Sequence, residues 1–132
     1  MVFVTKLVVD HAGVPQAAWH LVRKADLEHR MEQQVALLEN KFTYPMFVKP
    51  AGTGSSVGVS KAADREALVK ALEFAGQYDE KILVEEFIRG REVEVAVMGN
   101  DNPVASICGE IDSGADFYDY DAKYVTDTST AY

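Results

Sequence analysis

Residues 44–62 read YPMFVKPAGTGSSVGVSKA, and no other stretch constrains the fold as tightly. An apolar run carrying a lysine enters a loop of glycines and serines and leaves through a second alternating run, so the loop is the tip of a β-hairpin. Gly52, Gly54 and Gly58 let backbone N–H groups face an anion with no Cβ in the way, Ser55 and Ser56 add hydroxyl donors, and Lys49 supplies charge. A P-loop is excluded, because its lysine follows the last glycine and leads directly into a helix. Here the lysine comes first, and residues 57–60 (VGVS) alternate like a strand. A dinucleotide fingerprint fails as well, since no helix opens on the glycines. Taken alone, the loop fits either a cover over nucleotide phosphates or a plain flexible turn.

Composition sets the scale of what surrounds this hairpin. A chain of 132 residues, 48% of them hydrophobic, has material for one modest core. A formal charge of -8 with no run of Lys or Arg excludes general nucleic-acid affinity, so any anion site must be local. The one cysteine, Cys108, rules out an intrachain disulfide; it stands in an apolar run and is expected to be a buried, inert thiol in a reducing compartment. The opening MVFVTKLVVDHAG is interrupted by Lys6, Asp10 and His11 and is too short to span a membrane. A cytoplasmic protein without membrane association is expected.

The remaining elements follow from period and punctuation. Residues 2–12 form a helix stopped by Gly13 with Pro15 beyond it, and residues 16–23 form a strand with Ala17, Trp19 and Leu21 on one face. Asp26 is expected to cap a helix reaching about Glu39, with Leu27, Met31, Val35 and Leu38 on its buried side. Asp64 caps a second helix in which Leu68, Ala71, Leu72 and Ala75 recur at helical spacing. Residues 82–88, 92–98 and 104–111 are strand candidates, the last two joined by the turn residues 99–103 (GNDNP), with Val93, Val95 and Val97 sharing one face. These pieces predict an α+β fold: a mainly antiparallel sheet with two helices packed on one face. From Asp112 onward, DSGADFYDYDAKYVTDTSTAY has neither period but is dense in tyrosine and acid, the mark of a functional or disordered loop.

With the hairpin, the strand pair and the aromatic tail in place, the chain closely resembles the central part of bacterial D-alanyl-D-alanine ligases of the ATP-grasp superfamily. The likeness runs through TK near the start, AGVP, YPMFVKPAGTGSSVGVSKA, YDEKILVEEFIRGREVEVAVMGN, GEI and FYDYDAKY. Each piece alone is a weak signal; their order along nearly the whole chain is a strong one. The resemblance implies an ATP-grasp-type central subdomain over residues 16–111. Residues 1–15 would be a truncated helix and linker, and residues 112–132 the start of a substrate lid and a truncated C-terminal subdomain. The chain is accordingly expected to be a fragment of a longer enzyme.

What the resemblance implies for chemistry is ATP-dependent phosphorylation of one D-alanine carboxylate and attack on the acyl phosphate by the amine of a second. The product is a dipeptide for peptidoglycan. Lys6 and Lys49 would contact ATP phosphates, Ser55 and Ser56 would cover the transferring group, Glu85, Glu86, Phe87 and Ile88 would border adenine, and Glu92 would accept from the ribose hydroxyls. Lys123 and Tyr124 of the lid, with Ser55 as hydrogen-bond partner of Tyr124, would stand near the reacting groups. Read without the family, Lys6, Glu85 and Glu92 would pass as ordinary solvated side chains. Mg2+ or Mn2+ is implied for the full-length enzyme, but its ligands, an aspartate and a Glu-x-Asn pair, would lie beyond residue 132. Asp112, Asp116, Asp119 and Asp121 match no ligand spacing. The partners implied are ATP and D-alanine, with no nucleic acid and no membrane, and a homodimer is allowed for the full-length parent. The isolated chain is expected to lack ligase activity, which D-alanine-dependent release of ADP by the purified chain would refute. Two alternatives stay open: another ATP-grasp carboxylate-amine ligase, and a stand-alone nucleotide-binding module without catalysis.

Overall fold

The computed structural model describes residues 2–54, 56–112 and 130–131. The chain divides into two compact units, Met1–Ile88 and Arg89–Tyr132. In the first, the elements run α1 (Val2–His11), β1 (Trp19–Arg23), α2 (Lys24–Lys41), β2 (Met46–Pro50), β3 (Ser60–Ala62), α3 (Arg65–Ala75) and β4 (Lys81–Glu86). The four strands form one sheet in the order β1-β4-β2-β3, with every neighbouring pair antiparallel. The predicted α+β arrangement, an antiparallel sheet with two helices on one face, is what this unit shows in α2 and α3.

The two-residue period of the strands sorts their side chains. Val22, Met46, Val48, Ala62, Ile82 and Val84 face the helices and form the core with Leu27, Val35 and Leu38 of α2 and Leu68, Ala71, Leu72 and Ala75 of α3. The intervening residues therefore share the opposite face: Phe47 and Lys49 of β2, Leu83 and Glu85 of β4. Register aligns them, with Trp19, Glu85 and Phe47 in one row and Leu21, Leu83 and Lys49 in the next. Helix α1 is tied to this second face. Val2 N–H donates to Ala51 O at 2.9 Å, the Phe3 ring meets Trp19 edge-on at 5.8 Å, and the Gln16 side chain donates to Lys6 O at 2.8 Å.

Helix α3 is capped as predicted, with the Asp64 carboxylate accepting from Ala67 N–H at 2.9 Å. Three expectations are corrected. Helix α2 starts at Lys24 behind an uncapped Arg23, leaving Asp26 inside the first turn; it continues to Lys41 and contains a break at Arg30 (φ -141°, ψ 27°). Strand β1 begins at Trp19, not residue 16; just before it the Ala18 N–H donates to the Glu86 carboxylate instead of to a strand carbonyl. Residues 57–59 belong to the loop, since Gly58 adopts φ +74° and Val59 N–H closes a turn on Ser56 O at 3.2 Å.

The second unit contains β5 (Glu92–Glu94), β6 (Val97–Met98), β7 (Val104–Ala105), β8 (Gly109–Asp112) and β9 (Thr130–Ala131). Strands β5, β8 and β9 form one antiparallel sheet, and β6 pairs with β7 in a separate two-stranded one. Each of the two long strands expected over 92–98 and 104–111 is thus broken in two, and Val93, Val95 and Val97 are all exposed. Cys108 is exposed too, contrary to the buried thiol expected. An alternating pattern buries a face only when something lies on it, and none of these side chains is covered. Among the described residues no helix is long and apolar enough to cross a membrane.

Candidate functional site

The sheet face opposite the helices concentrates charge. Glu85 lies near the end of β4, flanked in register by Trp19 and Phe47, and is almost fully buried at 8% exposure. Two lysines reach it from different elements. Lys49, two residues further along β2, places Nζ 2.7 Å from Glu85 Oε2, and Lys6 of α1 places Nζ 2.8 Å from Oε1. The Lys6 contact is ionic and lacks hydrogen-bond alignment, so Oε1 has no hydrogen bond in the fold.

Two ammonium groups on one carboxylate leave a surplus positive charge, mostly desolvated, in a chain of net charge -8. Holding like charges together out of water is unfavourable unless a further anion balances them. A polyphosphate is the fitting chemistry, because its oxygens accept from both ammonium groups at once. The glycine-rich loop begins three residues beyond Lys49. Its stem is fixed on both sides of Ala51, whose N–H donates to Lys81 O and whose carbonyl accepts from Val2 N–H, each at 2.9 Å. Within the loop, Ser56 is a non-glycine residue at φ +61°, and Thr53 Oγ1 donates to Val57 O at 2.9 Å. Left-handed backbone at a non-glycine position costs energy and recurs where a loop is shaped for a ligand.

The structure therefore brings Lys6, Lys49 and Glu85 together and sets Lys49 at the mouth of the loop that carries Ser56. Glu86 serves the sheet: its Oε1 accepts from Ala18 N–H at 2.7 Å, and its own N–H donates to Ala18 O. The Phe87 ring packs on Phe47 at 5.9 Å and lies under Lys61 Nζ at 4.7 Å, making an aromatic platform on the glutamate face. Ile88 is exposed at the end of the first unit, and Glu92 is exposed on β5 of the second. Ser55, Lys123 and Tyr124 lie outside the described residues. Sequence reasoning missed the Glu85 side chain as a bridge between the lysines, and it missed Phe47 and Lys61 altogether. Only the pairing of β2 with β4, fixed by long-range register, puts Phe47 beside Glu85.

Among the described residues no three His, Cys, Asp or Glu side chains are grouped to hold a metal ion.

Residues 8–132 match the family described as D-ala D-ala ligase C-terminus. The D-alanine–D-alanine ligase of Ruminiclostridium cellulolyticum is 55% identical over 120 residues, covering 91% of this chain and 32% of that protein. The enzyme of the same name from Acetivibrio thermocellus is 53% identical, covering 94% and 33%. Among solved structures, the VanG D-Ala:D-Ser ligase of Enterococcus faecalis is similar at 33% identity and a TM-score of 0.76, covering 96% of this chain and 36% of that one. The D-alanine-D-alanine ligase of Coxiella burnetii follows at 35% identity and a TM-score of 0.69, over 83% and 32%. The chain spans about a third of the length of the curated relatives it matches.

Proposed function

The chain belongs to the D-ala D-ala ligase C-terminus family, and on that premise we propose that it is the nucleotide-gripping segment of an ATP-dependent D-alanine–D-alanine ligase acting in peptidoglycan synthesis. The observation that carries the reading is the convergence of Lys6 and Lys49 on Glu85 beside the glycine-rich loop. In this reading Lys6 and Lys49 hold the phosphates of ATP, and the amides of residues 52–58 together with Ser55 and Ser56 cover the group to be transferred. Positive charge fixed in place before the reaction stabilises the charge spread over a transferring phosphoryl group without reorganisation at that moment. Phe87, resting on Phe47, borders the adenine ring with Ile88, while those backbone groups of residues 85–88 that the sheet leaves unpaired offer the base edge its hydrogen bonds. Glu92 accepts from the ribose.

The chemistry that follows from this grip is transfer of the terminal phosphoryl group to a D-alanine carboxylate, then attack of a second D-alanine amine on the acyl phosphate. Lys123 and Tyr124, with Ser55 as partner of Tyr124, are the residues we assign to the reacting centre. Their roles rest on the family pattern alone. Residues 16–111 are proposed as the ATP-binding subdomain and residues 112–132 as the start of the lid. Mg2+ or Mn2+ would be held by ligands outside this segment, and the setting would be the cytoplasm.

A chimera tests the proposal. Residues 8–132 replace the matching segment of the Ruminiclostridium cellulolyticum ligase, and ADP release dependent on D-alanine is measured. Retained activity that Lys49→Ala in the chimera abolishes is the expected result. A folded chimera without activity, or one indifferent to Lys49→Ala, overturns it.

A further inference from the structure

The glycine-rich loop is shaped from behind by the turn between α3 and β4. A Cβ placed on Gly58 would stand 2.7 Å from Pro50 Cγ and 2.9 Å from Tyr78 Cδ2, so the glycine is clamped between a proline ring and an aromatic ring. A Cβ on Gly52 would stand 2.5 Å from Asp79 Oδ2, so the Asp79 carboxylate rests on the loop's other limb. Both clamping residues are themselves fixed. The Tyr78 ring meets Phe74 edge-on at 5.2 Å, Asp79 Oδ1 accepts from Lys81 N–H at 3.0 Å, and the N–H groups of Tyr78 and Asp79 both donate to Ala75 O at the end of α3. The loop thus has two contact points, one on each side of its tip, and both come from consecutive residues of one rigid turn.

We propose that Tyr78 and Asp79 are positioning residues that hold the glycine-rich loop in the shape required to receive nucleotide phosphates. The inference rests on the nucleotide reading above for its functional consequence, but its structural half stands apart from it. Neither side chain acts on the phosphates directly. Their effect is to limit the conformations of a loop whose glycines would otherwise sample many, which spares the ordering cost when the ligand arrives.

Hydrogen exchange on the 132-residue chain tests the structural half. Tyr78→Ala and Asp79→Ala are expected to speed exchange of the Val57 and Val59 amides, which close turns on Gly54 O and Ser56 O, while the Val84 amide in the core strand keeps its protection. Tyr78→Phe keeps the ring and Asp79→Asn keeps the acceptor, so both should behave as wild type. Titration then tests the consequence: the alanine variants should bind ATP about tenfold more weakly, because the loop's ordering cost is no longer spared, with adenosine binding unchanged. Unchanged exchange at Val57 and Val59 overturns the inference, as does exchange rising equally at Val84, or ATP and adenosine weakening together. If wild type binds no ATP while the exchange pattern holds, the nucleotide reading fails and the brace stands.

Discussion

Glu85 carries more of the site's electrostatics than either lysine does. It is the one anion between two mostly buried ammonium groups, so Glu85→Gln leaves two positive charges facing each other. Breaking a buried charge arrangement in this way costs about 3 kcal/mol. We expect a lower thermal midpoint for Glu85→Gln in the absence of nucleotide, and a larger upward shift on adding ATP than wild type shows, both read by calorimetric melting. His20 gives a second prediction at this scale. Burial, and then the Lys41 ammonium 3.4 Å from its Nδ1, hold its pKa below the ordinary value. The folded state binds that proton less readily than the unfolded chain, so His20 contributes stability above about pH 6.5 that is lost as pH falls through its depressed folded pKa. His20→Gln should therefore flatten the fall of the midpoint with acidification. Single residues were only partly legible in the sequence. Lys49 could be singled out because glycines follow it directly, whereas Lys6 and Glu85 acquire meaning only when α1 and β4 meet, and Cys108 misled because an apolar neighbourhood in sequence is not a covered one in space.

Elements with strong local signals were readable, and those defined by partners were not. Helix α3 carries its own instructions: a capping aspartate, four apolar residues at helical spacing and Gly76 at its end. Removing the cap by Asp64→Ala is expected to lower stability by about 1 kcal/mol in chemical denaturation, with no change in nucleotide affinity. The β2–β3 hairpin was legible as a hairpin, but the turn that shapes it was not, because the left-handed Gly58 depends on Pro50 and Tyr78 closing around it. Gly58→Ala adds a Cβ where neither space nor backbone conformation accepts one. It should weaken ATP binding and destabilise the chain by about 1–3 kcal/mol, measured by titration and denaturation together. The second unit's strands are shorter than their sequence pattern, since alternation continues through 92–98 while pairing stops at Glu94 and resumes at Val97 on a different partner.

At the scale of the whole molecule, the chain is a pair of units with different construction. The first buries a continuous core between a four-stranded sheet and two helices; the second leaves Val93, Val97, Met98, Val104 and Ile107 exposed. Trypsin offers a direct check, because Arg89 and Arg91 are exposed at the boundary. Brief digestion should release a resistant product ending at one of these arginines, identified by mass. An overall charge of -8 and a local surplus of positive charge coexist because the lysines are few and placed by the fold. That surplus is the core of the functional reading, and titration of ATP into the purified 132-residue chain and its Lys49→Ala variant tests it most directly. Saturable binding of ATP that weakens at least about tenfold in Lys49→Ala, with adenosine binding equal in the two proteins, is the predicted result. Equal affinity of both proteins for ATP, or no binding by folded wild type, would contradict it.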